Sequence, residues 1–346
     1  MILVTGAAGL IGSSAVAHFS NLGEKVVGID NNSRREFFGP SGDISGNLSL
    51  LNRKYPNFIN FEVDICDYSS ISAIFEKYRP AVVIHTAAQP SHDRAKSIPI
   101  RDFEVNALGT LNLLEATRLN SPSATFIHVS TNKVYGDGPN RLSLIESEYR
   151  FDFNDINFID GVDENFPIDQ SMHSLFGASK LSADIYAQEY GRYFGMNIGV
   201  FRGGCLTGPM HAGVELHGFM SHLIKSCISS HKYKIFGYSG KQVRDQIHSS
   251  DVVKAFEYFI LKPNPGEVYN LGGGRENSAS ILEIINRLTL KIESDIALEF
   301  HPEPRQGDHI CYYSNMRKFQ SHFPDFSISR NLDSIIEEMI EFEVTK

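Results

Sequence analysis

The sequence predicts an α/β fold, a doubly wound parallel sheet followed by a smaller C-terminal domain. Three observations predict it. Short apolar runs alternate with longer helix-like segments over the first 135 residues, a glycine-rich turn follows the first run, and turn signals crowd the chain beyond residue 200. The runs are Ile2 to Val4, Val26 to Ile29, Phe58 to Val63, Ala81 to His85 and Phe126 to Val129, the last strand ending at Ser130. Between them Ser14 to Asn21, Ser69 to Lys77 and Phe103 to Leu119 place apolar residues at three-and-four spacing, which makes them crossover helices. Such β-α-β alternation needs a parallel sheet covered on both faces.

The 346 residues are 42% apolar, enough for a large core. The net charge of -9, without a long basic run, argues against nucleic acid or an anionic membrane as the main partner. Cys66, Cys205, Cys227 and Cys311 stand far apart with no CxxC pair, so neither a zinc site nor a disulfide framework is expected, and a reducing compartment fits. Met1 to Val4 runs straight into a glycine turn and lacks the basic flank and length of a signal peptide. No stretch approaches the ~20 apolar residues of a membrane span. A cytoplasmic location is the expectation.

From Asp137 to Ser174 the chain is rich in Asp, Asn and Glu and reads as an irregular excursion before a helix from Gly177 to Gly195. Turn signals follow at Gly203-Gly204, Gly208-Pro209, Pro263 to Gly266 and Gly272 to Gly274. They divide the chain into a nucleotide-binding domain over 1–200, to which 231–262 returns, and a substrate-binding domain over 201–230 and 263–346.

Gly6-Ala7-Ala8-Gly9-Leu10-Ile11-Gly12 follows a predicted strand and opens a predicted helix. Glycines there let the chain turn tightly and let a pyrophosphate approach free N–H groups at the helix N-terminus. Asp30 ends the second strand, where a carboxylate accepts from an adenosine ribose and repels a 2′-phosphate. NAD is therefore preferred over NADP, and the sheet is of Rossmann type. Arg34 and Arg35 nearby read as solvated surface charges.

This G-x-x-G-x-x-G spacing resembles the extended short-chain dehydrogenase/reductase family, the NAD-dependent nucleotide-sugar epimerases and dehydratases. Asp64-Ile65 is similar to the family's adenine-contacting pair, and His85-Thr86-Ala87-Ala88-Gln89 to its cofactor-lining fourth strand. Asn106, in Val105-Asn106-Ala107-Leu108-Gly109, falls in another signature. His85 itself reads as a satisfied strand-end histidine. Ser130 to Gly136 resembles the family's Ser/Thr segment, which implies that the Thr131 hydroxyl meets the reacting sugar oxygen.

The resemblance also implies Tyr-x-x-x-Lys on the next long helix, where an ammonium lowers the pKa of a phenol one turn away. The chain reads Phe176-Gly177-Ala178-Ser179-Lys180. Phe176 has no ionisable proton. Lys180 retains its other implied task, a hydrogen bond to the nicotinamide ribose. An engineered substitution, a natural departure in which another group moves the proton, and a silent family member all remain open. Ser91, His92, Asp93, His173 and Cys205 are the candidate replacements, histidine having the best intrinsic pKa.

Further along, Arg202 to Pro209 resembles the family's R-x-x-N-x-x-G-P turn, with Cys205 where asparagine is common. Arg244 resembles the arginine that grips a substrate diphosphate. Arg305-Gln306-Gly307-Asp308 is similar to a variant in which arginine meets phosphate and aspartate meets the nucleoside ribose. Together with Glu215, His217 and Phe219, these segments resemble the branch acting at C2 of CDP-linked sugars, the CDP-paratose 2-epimerase branch. The implied reaction oxidises the sugar to a transient ketone and reduces it on the other face. A 4-epimerase, dehydratase or decarboxylase, and a silent NAD or nucleotide-sugar binder, are the rivals. Asn132-Lys133 stands where dehydratases carry Asp-Glu. The family also implies a homodimer through Phe103 to Leu119 and Gly177 to Tyr193.

Overall fold

The coordinates are a computed structural model describing residues 1–292 and 296–345, so part of the expected 263–346 span lies outside the described residues. Strands β1 (Ile2–Thr5), β2 (Val26–Ile29), β3 (Phe58–Phe61), β4 (Val82–His85), β5 (Thr125–Thr131), β6 (Leu144–Glu146), β7 (Phe151–Phe153), β8 (Asn197–Gly203), β9 (Cys205–Thr207), β10 (Tyr233–Phe236), β11 (Val243–His248), β12 (Glu267–Leu271), β13 (Ser278–Ser280), β14 (Leu298–His301) and β15 (Cys311–Tyr312) are joined by thirteen described helices. These are α1 (Leu10–Asn21), α2 (Ser33–Phe38), α3 (Ser45–Lys54), α4 (Tyr68–Tyr78), α5 (His92–Ser97), α6 (Pro99–Phe103), α7 (Gly109–Asn120), α8 (Ser174–Phe194), α9 (Phe219–Ile228), α10 (Ser249–Leu261), α11 (Ile281–Ile292), α12 (Arg317–His322) and α13 (Leu332–Val344).

The main sheet has seven parallel strands in the order β12-β8-β5-β4-β1-β2-β3, the predicted Rossmann-type doubly wound arrangement. Alternate residues of each strand enter opposite cores. Ile2 and Val4 pack with Ile11 and Val16 of α1 and Phe256 and Phe259 of α10, whereas Leu3 packs with Phe75 of α4 and Leu113 of α7. That two-sided burial explains why the strands read as continuous apolar runs. Across the sheet and α8, Arg202 Nε and Nη2 meet Asp184 at 3.0 and 2.9 Å, both side chains buried, and Ser130 Oγ donates to the same carboxylate at 2.6 Å.

Several boundaries shift for local reasons. Asp67 starts α4 by accepting from the Ser69 and Ser70 amides, and Gly195, at φ 66°, ends α8 one residue after Phe194. The expected helix from Phe103 to Leu119 is interrupted: residues 104–108 form a π turn between α6 and α7. The turn points Asn106 inward, where its Nδ2 donates to Asp102 Oδ1 at 3.1 Å and to Ser179 Oγ at 3.0 Å.

The excursion after Asp137 is partly ordered as a β6–β7 hairpin, because Phe153 packs on Tyr313 with ring centroids 5.0 Å apart. Beyond residue 200, β11 pairs with β9, β13 and β15, while β10 and β14 pair beside α9, α11 and α13 around Leu223, Ile284 and Ile336. The strand that returns to the main sheet is β12, at 267–271, with α10 packing on it. Within the expected returning segment 231–262, β10 and β11 lie outside that sheet.

Candidate active site

Strand order reverses between β1 and β4, and a cleft of about 410 Å³ opens at their carboxyl ends. Gly6 (φ 65°) forms its floor: a Cβ there would stand 2.9 Å from both Ala87 N and Thr86 Oγ1. Gly9 is the N-cap of α1 without a capping side chain, so the amides of the first turn are left for a ligand. Gly6, Gly9, Leu10 and Ile11 line the cleft. Gly12 stands behind it, where a Cβ would fall 2.0 Å from Gly6 O.

Asp30 also lines the cleft, accepting from Ala8 N and Asn32 N, each at 2.9 Å. Burial pushes its carboxyl above the usual value, against those two amides. Asp64, Ile65, Ala87 and Ala88 continue the lining. Asp64 pairs with Arg101 at 2.5 Å; burial raises its carboxyl, but the Cys66 amide and Arg101 outweigh it, so the net shift is downward. Gln89 and Asn106 are buried behind the wall and brace it, Gln89 N donating to Asn106 Oδ1 at 2.9 Å. Such a cradle, with glycines where side chains would collide and a carboxylate at the far end, fits a dinucleotide.

Thr131, Phe176 and Lys180 all line the same cleft. Lys180 Nζ donates to Val129 O at 2.8 Å, and burial pulls its ammonium down to about 8. Of the candidate replacements, His92 and Cys205 face the cleft. His92 Nδ1 lies 2.7 Å from Ser174 Oγ, and burial, helped by Lys133, lowers it to about 3. Burial pushes the Cys205 thiol up to about 11. Ser91 is buried and caps α5, Asp93 is exposed, and His173 Nε2 is held 2.9 Å from Val134 O; none of these three lines the cleft. His85 is satisfied between Thr5 Oγ1 at 2.7 Å and Thr110 Oγ1 at 2.9 Å.

Arg244, His217 and Phe219 also line the cleft; Arg244 is ion-paired with Asp308, and His217 Nδ1 lies 3.4 Å from Arg34 Nη1. Glu215, Arg305 and Asp308 stand outside the lining. Arg305 covers the Phe236 ring at 4.4 Å and donates to Glu215 O at 2.6 Å, so it is packed beside the cleft. Among the described residues, no group of three His, Cys, Asp or Glu could hold a metal ion.

A family described as the NAD dependent epimerase/dehydratase family matches residues 2–272. The chain belongs to that family. CDP-paratose 2-epimerase from Salmonella typhi is 31% identical over 326 residues, covering 92% of this chain and 91% of the relative. A dTDP-glucose 4,6-dehydratase from Haemophilus influenzae is 29% identical over 341 residues, covering 96% and 89%. Among solved structures, UDP-glucuronic acid 4-epimerase from Bacillus cereus, in complex with UDP-glucuronic acid and NAD, superposes with a TM-score of 0.80 at 26% identity over 99% of both chains.

Two residues of this epimerase/dehydratase chain escape a sequence reading. Arg34, expected as a solvated charge, instead lines the cleft, donates to Ala212 O at 2.6 Å and is lowered by burial to about 10. Only folding brings residue 212 beside it. Arg35 does stay exposed, near Asp43 at 3.4 Å. Lys133 also lines the cleft; its position two residues past Thr131 was the available signal.

Proposed function

We propose that this chain epimerises a nucleotide-sugar, at C2 of a CDP-linked sugar, through a transient ketone. One observation carries the reading: a single cleft is lined by the glycine cradle and Asp30, by Thr131 and Lys180, and by Arg244, His217 and Phe219. When bound, NAD supplies reversible two-electron oxidation of the sugar carbinol. Gly6, Gly9, Leu10, Ile11 and Asp30 hold its adenosine and pyrophosphate, with Gly12 setting the turn and Asp64, Ile65, Ala87 and Ala88 continuing the grip. Gln89 and Asn106 keep that wall in place. The Thr131 hydroxyl orients the reacting oxygen, and Lys180 holds the nicotinamide ribose with its ammonium. Arg244 binds diphosphate, while His92, Cys205, His217 and Phe219 line the substrate space and Ser91, Glu215, Arg305 and Asp308 support it from outside the lining.

A 4,6-dehydratase is disfavoured by Asn132, which offers no ionisable proton beside Thr131. Product analysis by NMR after incubation with CDP-, dTDP- and UDP-linked sugars tests the proposal. Inversion at C2 of a CDP-sugar supports it, and loss of water or inversion at C4 replaces it. A silent NAD or nucleotide-sugar binder is the second reading, favoured by Phe176; it gives tight ligand binding with no product.

We also propose a cytoplasmic homodimer formed through α6, α7 and α8. Phe103 is 54% exposed and Tyr193 83% exposed, so this face carries large apolar groups for a second copy to cover. Light scattering that returns a concentration-independent monomer overturns the dimer. Among the described residues no helix is long and apolar enough to cross a membrane.

A further inference from the structure

Two ammonium groups line the cleft among the described residues, and the roles above leave Lys133 without a task. It sits in the turn that follows β5, its amide donating to Thr131 Oγ1 at 3.3 Å. Its carbonyl rests against α8 next to Phe176: a Cβ on Gly177 would lie 3.0 Å from Lys133 O. Its Nζ donates to Gly307 O at 3.0 Å and lies 3.4 Å from His309 Nδ1.

The His309 tautomer follows from its other contact. Nε2 is 2.7 Å from Gly136 O, a pure acceptor, so Nε2 carries the proton and Nδ1 offers a lone pair. Two of the three ammonium donors are thereby used, and one site on Nζ is left for a ligand. The same corner holds His92, whose Nδ1 is 2.9 Å from the position of a Cβ on Gly307 and whose ring meets Phe176 edge-on.

We propose that Lys133 Nζ takes and returns the carbinol proton, in place of the phenol that residue 176 lacks. This rests on the epimerase reading. In the oxidation half, the carbinol O–H bond breaks and its proton passes to the neutral amine, giving an ammonium, while the carbon-bound hydrogen leaves with its electron pair as hydride, for which bound NAD would supply the two-electron acceptor. In the reduction half the ammonium returns that proton to the oxygen as hydride, the same hydrogen with its electron pair, comes back to carbon on the other face. Nothing is consumed.

The surroundings suit the task. Burial pulls Lys133 down to about 8, with Arg244 on β11 adding to the shift and Asp308 and Cys205 opposing it. About a tenth of the side chain is then a free base at pH 7. The other groups facing it are poorer bases for this purpose: His92 and His309 are pushed low by burial, and the Cys205 thiol is pushed high.

The test combines titration with kinetics on the full-length protein. Reductive ¹³C-methylation with NMR, the Lys133 signal assigned by its loss in Lys133→Gln, is expected to give a midpoint near 8; a midpoint near 10.5 overturns the proposal. Lys133→Met is expected to lower kcat by roughly 100-fold with little change in KM. Lys133→Arg, which keeps the charge but cannot release a proton, is expected to be as slow. In a Phe176→Tyr background, where a phenol is available, Lys133→Met is expected to be tolerated. Rescue by arginine, a KM effect alone, or equal loss in both backgrounds means a diphosphate-binding or structural role and overturns the proposal. If the unaltered chain converts no nucleotide-sugar, the epimerase reading falls and takes the proposal with it. If it does and Lys133→Met keeps the rate, only the proposal falls.

Discussion

The ring of Phe176 meets that of His92 edge-on, centroids 4.9 Å apart and planes at 69°, one helical turn before Lys180. A hydroxyl added to that ring would share the helix face of the Lys180 ammonium. Phe176→Tyr is therefore expected to raise kcat by roughly 10-fold or more, since positioned acid/base groups contribute about 10²–10⁴-fold. Steady-state rates with the best substrate check it, and a silent binder would show no gain.

Gly12 can carry no side chain, because a Cβ would lie 2.0 Å from Gly6 O and 2.9 Å from Ala7 Cα, both backbone atoms. Gly12→Ala should shift the turn, weaken NAD binding by roughly 10-fold or more, and cost about 1–3 kcal/mol of stability. Calorimetric titration with NAD and a melting curve separate the two effects.

Asp30 presents a carboxylate in the cleft and Arg34 a guanidinium close by. Asp30→Ser removes the charge that repels a 2′-phosphate. The ratio of NADP to NAD affinity is expected to rise by roughly 10-fold. Binding isotherms for both dinucleotides measure it; an unchanged ratio places selectivity elsewhere.

Asp184 is fully buried against Arg202, which is 4% exposed. Asp184→Ala leaves a buried guanidinium without its counter-ion and is expected to cost about 3–5 kcal/mol. Urea denaturation would reveal a lowered midpoint, whereas a loss under 1 kcal/mol would mean that water replaces the carboxylate.

Burial lowers His85, His128, His217 and His309 well below 6.5, and His92 and His211 to about 3. Below pH 6.5 these six histidines therefore bind more protons in the unfolded chain than in the folded one. At these sites the cost is nil above that pH, where the rings are neutral in both states, and it grows as pH falls towards 3, by about 1.4 kcal/mol per pH unit for each proton. Scanning calorimetry from pH 8 to 5 should show Tm falling only on the acid side of the range.

The order of elements was legible because a strand buried on both faces must be apolar throughout, as in Val26 to Ile29, and a helix on one face must be periodic. The glycine turn and Asp30 were legible for a similar reason: close backbone approach and a strand-end carboxylate are local requirements. The π turn at 104–108 was not, since an inward Asn106 is fixed by Gln89 and Ser179, distant in the chain.

The sequence by itself determined the parallel sheet, the nucleotide cradle and the missing hydroxyl at Phe176, all properties of residues near one another along the chain. Tertiary structure alone decided that Arg34 turns into the cleft against Ala212, that Arg305 packs on Phe236 outside its lining, and that Lys133 reaches Gly307 beside His92. The physical reason is common to all three. A long charged side chain goes where a carbonyl or an aromatic face can receive it, and those partners come from segments that only folding brings near.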